Sequence, residues 1–141
     1  MTVVRALTSI LLVLGTLAFV PSAEAKATYT ILPAGDVALS INDSGAVTGN
    51  EGSAGFIRTP DGLITTFHVT GDTFGTRAAS INADDAITGY YEDENRVTHG
   101  YVRTADGTIT TFDAPGAGTG GGQGTLGVGI SQNWNRNGHL S

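Results

Sequence analysis

The chain has 141 residues, 21 of them glycine, no cysteine and a formal net charge of −6. An acidic surface with no basic patch repels phosphate backbones and argues against nucleic-acid binding. With no disulfide available, packing and backbone pairing alone must hold the fold.

Residues 1–5 carry one positive charge, and residues 6–20 are an almost unbroken apolar run. Ala23-Glu24-Ala25 then puts small residues at −3 and −1 of a cut before Lys26. This order predicts a secretory signal peptide over residues 1–25, and therefore a secreted, extracellular or periplasmic protein. The fifteen-residue run falls short of the ~20 apolar residues that cross a bilayer. No later run is long enough either, so no membrane span is expected after cleavage. Removal takes away Arg5 and Glu24, and the net charge stays at −6. The rest, residues 26–141, fits one domain. Its glycine content is about twice the usual share. Short runs of Thr, Val, Ile, Tyr and Phe are cut by Gly, Asn and Asp, which is an all-β pattern.

Strands are expected over residues 27–32 and 37–41, with a turn at Asn42-Asp43-Ser44-Gly45. Residues 46–49 return, residues 50–54 form a loop, and residues 55–59 and 63–69 make a hairpin around Pro60-Asp61-Gly62. The same cycle follows over residues 78–81, 86–91, 98–104 and 108–112. The hairpin G-F-I-R-T-P-D-G-L-I-T-T-F of residues 55–67 recurs as G-Y-V-R-T-A-D-G-T-I-T-T-F at residues 100–112, 45 positions on. S-I-N at residues 40–42 recurs at residues 80–82. The chain is thus a repeat protein, with units at about residues 37–69 and 78–114.

Pro60 cannot take the positive φ of a type I′ turn. It suits a type I turn with Gly62 as a left-handed bulge, and Ala105-Asp106-Gly107 fits the same geometry. The alternative is an Asp-Gly type I′ pair with Pro60 outside it. On either reading Asp61, Gly62, Asp106 and Gly107 are structural.

Between the copies only connections vary. Ile41 to Phe56 is 15 positions and Ile81 to Tyr101 is 20. The surplus lies within residues 90–99, Y-Y-E-D-E-N-R-V-T-H, a longer and more acidic connection. A Gly-rich segment at residues 116–124 reads as a flexible linker. A third, incomplete unit starts at residue 125, and the pattern stops after Ile130.

Four short strands per 40 to 50 residues is the size of a β-propeller blade. The fold expected is all-β, built from short antiparallel four-stranded units as an incomplete propeller. An open twisted sheet or small β-solenoid is the alternative. Two units fall short of the four to eight blades of closed propellers. That implies a truncated gene product, or self-association through unpaired blades.

The string S-I-N-x-x-x-A-I-T-G-Y-Y, followed by T-H-G-Y-V-R-T-A-D-G-T-I-T-T-F-D-A-P-G-A-G-T, resembles the bacterial extracellular repeats of the HAF type. His99-Gly100-Tyr101 stands where those repeats carry His-Ala-Phe, whereas the first copy has Ala54-Gly55-Phe56. The resemblance covers residues 37–130. It implies a secreted or surface-exposed array of propeller-like blades, and it supplies no catalytic residue.

Asp84, Asp85, Glu92, Asp93 and Glu94 cluster without calcium-loop spacing and read as a solvated loop. His68, His99 and His139 lack metal-ligand spacing. His99 is expected to bond a neighbouring backbone group. Asn42-Asp43-Ser44 is formally a glycosylation sequon, but a turn role already accounts for Asn42 and Ser44. Neither a catalytic set nor a metal site nor a cofactor is expected. The contact surface expected is Tyr90, Tyr91, Glu92, Asp93, Glu94 and His99, because aromatics at a loop rim stack on sugars or protein partners.

The function expected is therefore non-enzymatic: a secreted β-repeat module contacting an extracellular protein or glycan. The alternative is a fragment of a propeller-type hydrolase or lyase whose catalytic residues lie outside this chain. A calcium-stabilised module is a third reading.

Overall fold

The computed structural model describes residues 32–132 and Trp134. The signal segment, almost all of the strand expected at residues 27–32, and His139 lie outside the described residues.

Eight strands follow in chain order: β1 Asp36–Ile41, β2 Val47–Glu51, β3 Ala54–Arg58, β4 Ile64–Phe67, β5 Thr76–Ile81, β6 Ile87–Glu92, β7 Thr98–Arg103 and β8 Ile109–Phe112. They form two four-stranded sheets, β1-β2-β3-β4 and β5-β6-β7-β8. Every neighbouring pair is antiparallel. The described residues contain no helix, and so none long and apolar enough to cross a membrane.

The hairpin turns are built alike in both sheets. Gly62 N–H donates to Thr59 O at 2.9 Å and Thr59 N–H to Leu63 O at 2.9 Å. Gly107 and Thr104 repeat both bonds at 2.9 Å. Gly62 lies at φ +100 and Gly107 at φ +90, a region that favours glycine. The Thr59 hydroxyl bonds the Asp61 carboxylate and holds it below its ordinary pKa.

Two expectations about connections change. The loop expected at residues 50–54 shrinks to Gly52-Ser53, because Asn50 and Glu51 extend β2. Gly52 takes φ +57, which allows so tight a reversal. In the second sheet, strands β6 and β7 are each one residue longer than β2 and β3, and the turn between them is residues 93–97. The surplus of residues 90–99 is thus part strand and part turn.

Both sheets carry a β-bulge that no local signal announced. Register shifts between Ala38 and Ser40 in β1, and between Ala78 and Ser80 in β5. Plain alternation would point positions three apart to opposite faces. The extra residue puts Ala78 and Ile81 both in the core, at 0% and 2% exposure. Opposite each bulge stands the repeated Thr-Gly. Thr48 Oγ1 donates to Phe56 O at 2.6 Å, and Thr88 Oγ1 to Tyr101 O at 2.9 Å, so these buried hydroxyls are satisfied.

The core lies between the sheets. Ile57 of the first belongs to one buried cluster with Ala78, Ile81, Ile87, Tyr91 and Tyr101 of the second. Full burial of each large aliphatic stabilises by roughly 1.5–3 kcal/mol. Phe67 meets Tyr101 edge-on at 6.1 Å, and the Arg103 guanidinium lies 5.0 Å from the Phe67 ring centre. Strand β5 lies against β1, β2 and β3. Polar bonds fix its position: Ala78 N–H to Asn50 Oδ1 at 2.9 Å, Ile81 N–H to Ser40 Oγ at 3.3 Å, and Thr76 N–H to Ser53 O at 2.8 Å.

Asn42 adds a link that its turn role does not explain. Its Oδ1 accepts Ala46 N–H at 2.9 Å, closing its own turn, while its Nδ2 donates to Asn82 O at 2.9 Å and Asp85 Oδ1 at 2.7 Å. Asn82 does the same one unit on. Its Oδ1 accepts Ala86 N–H at 2.9 Å, and its Nδ2 reaches Ser131 O at 3.2 Å and Trp134 O at 3.3 Å. Asn42 is buried with its amide fully engaged, so the sequon does not present an accessible acceptor.

The segment over residues 123–131 covers the second sheet as β5 covers the first. Thr125 N–H donates to Thr98 O at 2.7 Å, matching Thr76 N–H to Ser53 O. Ala114 N–H donates to Thr125 Oγ1 at 2.8 Å, matching Val69 N–H to Thr76 Oγ1 at 2.9 Å. The Gly-rich stretch before it is a folded loop rather than a free linker. Gly122 N–H donates to Arg96 O at 2.8 Å, and Gly120 N–H donates to Gln123 Oε1 at 3.1 Å. Gly118 leaves room for the Gln123 side chain, which a Cβ there would meet at 2.2 Å.

Burial pushes the Tyr101 phenol well above its ordinary pKa of 10.0, and Tyr91 shifts the same way. In the unfolded chain both ionise near their ordinary value, whereas burial in the fold opposes their ionisation. The unfolded state then binds fewer protons, so stability is full below about pH 10 and falls as pH rises beyond it. Urea midpoints between pH 8 and 11 should show this fall. Tyr101→Phe should flatten it, and an equally steep fall in that variant would refute the assignment.

Candidate functional site

The two sheets differ most at the β6–β7 end. Asp93 builds the turn: its Oδ1 accepts Asn95 N–H and Val97 N–H, both at 2.9 Å. The Val97 N–H is the main reason its carboxyl sits below the ordinary carboxylate value, with Asn95 and His99 acting in the same direction. Arg96 takes φ +60, and its guanidinium lies 4.0 Å from the Phe74 ring centre. Glu92 O accepts Thr73 N–H at 2.9 Å, which ties the loop carrying Phe74 to this end.

His99 faces Tyr91 across the β6–β7 ladder, and the two rings stack at 5.1 Å and 30°. Its Nδ1 lies 2.9 Å and 3.1 Å from the two carboxylate oxygens of Asp113, and its Nε2 lies 3.5 Å from Asp93 Oδ2. The expected backbone partner of His99 is therefore replaced by two carboxylates. The reason is local: in the β7–β8 ladder Gly100 pairs with Phe112, so the next residue, Asp113, falls beside His99.

The expected contact residues separate by exposure. Tyr91 is buried and belongs to the core. Tyr90, Glu92, Asp93 and His99 are half-buried, and Glu94 is exposed at the tip. Asp84 and Asp85 sit at the opposite end of β6, roughly 20 Å away at ~3.3 Å per residue. The acids close in sequence thus do not converge, and Asp85 is committed to Asn42. Among the described residues no group of three or more His, Asp or Glu could hold a metal ion.

His68 binds its own neighbour, with Nδ1 at 2.8 Å from Asp72 Oδ2. Asp113, Arg96 and Phe74 were not anticipated. The signal for Asp113 was present: aligning the copies by T-T-F sets Asp113 on His68 and His99 on Ala54. These are cross-strand neighbours that changed together.

No family model matches the chain, and no curated protein or solved structure shows significant similarity to it.

Proposed function

We propose that this chain is a non-enzymatic, exported interaction module of blade-like repeats. On this reading the sheets are propeller-type blades related to the HAF repeats, and the β6–β7 end contacts an extracellular protein or glycan. One observation carries it: the side chains suited to recognition gather where the copies diverge. There a Tyr91–His99 stack is held by Asp93 and Asp113, with Glu94 exposed at the tip and Arg96 over Phe74 beside them. Packed aromatic and cationic groups with a polar rim suit sugar or protein contacts. Export rests on the N-terminal segment. The blade reading rests on two equivalent meanders stacked through β5.

The test is binding of labelled chain to cell-envelope polysaccharide and to surface-protein fractions. Glu94→Lys, at the exposed tip, should weaken capture by about tenfold without moving the urea midpoint. Glu51→Ala, at the corresponding end of the first sheet, should leave capture intact. Equal capture by all three proteins would sink the proposal.

A further inference from the structure

The two ends of the sheet stack expose apolar residues at positions that the interior buries. In the second sheet Ile81 is 2% exposed, because the first sheet covers it; its counterpart Ile41 in β1 is 67% exposed. Val37 and Leu39 are open as well, at 53% and 52%. Ala38, Leu39, Ser40, Ile41 and Val47 line a groove of about 380 Å³. At the far end Leu126 and Val128 are 57% and 70% exposed on the segment that lies over the second sheet. Phe112 is open there too, whereas its counterpart Phe67 packs on Tyr101.

The order of stacking decides what fits these ends. Strand β5 lies on the first sheet, and the segment over residues 123–131 lies on the second through the same three kinds of bond. These are the Thr N–H to a carbonyl, the Thr hydroxyl accepting an N–H, and the Asn amide reaching the next backbone. One front-to-back step is therefore used twice. The next element in that series would present the β1 face to Leu126 and Val128. The chain carries such a face at its own front.

We propose that copies of this chain associate head to tail, the β1 face of one covering Leu126 and Val128 of the next. The contact is heterologous, because the internal step it continues joins unlike faces. It uses the ends of the stack rather than the β6–β7 rim, so it stands or falls separately from the binding function above.

Sedimentation equilibrium of the full chain should give a mass above monomer that rises with concentration. Ile41→Asp and Val128→Asp alter exposed side chains, so both variants should keep the wild-type urea midpoint. Each alone should weaken association by about tenfold or more. Mixed in equal amounts they should form a dimer, since one keeps an intact back and the other an intact front. If either variant unfolds, Leu39→Asp and Leu126→Asp replace the pair. A wild-type chain that stays monomeric would overturn the proposal. So would a Val128→Asp variant that associates as strongly as wild type, or a mixture that stays monomeric.

Discussion

Replacing Gly89 with alanine should lower the stability of the fold by about 3 kcal/mol, the upper end of what overpacking costs in a core. A Cβ at Gly89 would lie 1.8 Å from Arg77 O and 2.8 Å from the Tyr101 hydroxyl oxygen. The first of these is backbone in a strand packed between other layers, so it has little room to give. The Tyr101 hydroxyl is itself held, donating to Arg77 O at 3.2 Å. Gly49 meets Val37 O in the same way at 1.9 Å. Strand β1 is an exposed edge that can shift, so Gly49→Ala should cost less than Gly89→Ala. Gly129→Ala serves as the control, with nothing within 4 Å of its Cβ and no positive φ. It should change stability by no more than about 0.5 kcal/mol. Urea unfolding of the three variants checks the order. Equal midpoints for Gly89→Ala and Gly129→Ala would contradict the packing argument.

The second large effect is expected at Asn82, which is fully buried. Truncation to alanine leaves the buried Ala86 N–H without the side-chain oxygen that closes the turn. It also removes the amide that holds the segment at Ser131 and Trp134. An abandoned buried partner costs about 1–3 kcal/mol, and with two functions lost the total should reach about 3 kcal/mol. Asn82→Asp separates those functions. Aspartate serves such turns as well as asparagine does, but it cannot donate to a carbonyl. If turn formation were the whole role, Asn82→Asp would be neutral. Instead it should destabilise measurably and speed amide exchange around Thr125. Asn82→Asp with wild-type stability and exchange would refute the link between units.

Much of the fold was legible because its signals are local. Alternating Thr, Ile, Val and aromatic residues between Asn-Asp and Asp-Gly turns mark strands whatever packs on them, so all eight strands overlap their expected spans. The bulges at Leu39 and Ala79 were not legible. A bulge adds one residue against a partner strand and leaves no compositional trace of its own. The Thr-Gly repeats were visible, but a glycine's reason lies in the carbonyl opposite it, which only pairing supplies. The site was half legible. Residues 90–99 stood out as the stretch that does not repeat, yet Tyr91 proved to be core. Asp113, the closest carboxylate to His99, comes from the end of another strand.

The sequence by itself determined the eight strands, their grouping into two units and the turns that join them, since each depends on residues within a few positions. Only the tertiary structure decided how the units meet. Strand β5 lies on the first sheet, Asn42 and Asn82 each reach across to the next backbone, and Ile81 is buried where Ile41 is open. Those outcomes depend on groups about forty residues apart, and their contact free energy arises when two finished sheets come together. Identical S-I-N strings thus end in opposite environments, because burial belongs to a residue's position in the stack and not to its letter in the repeat.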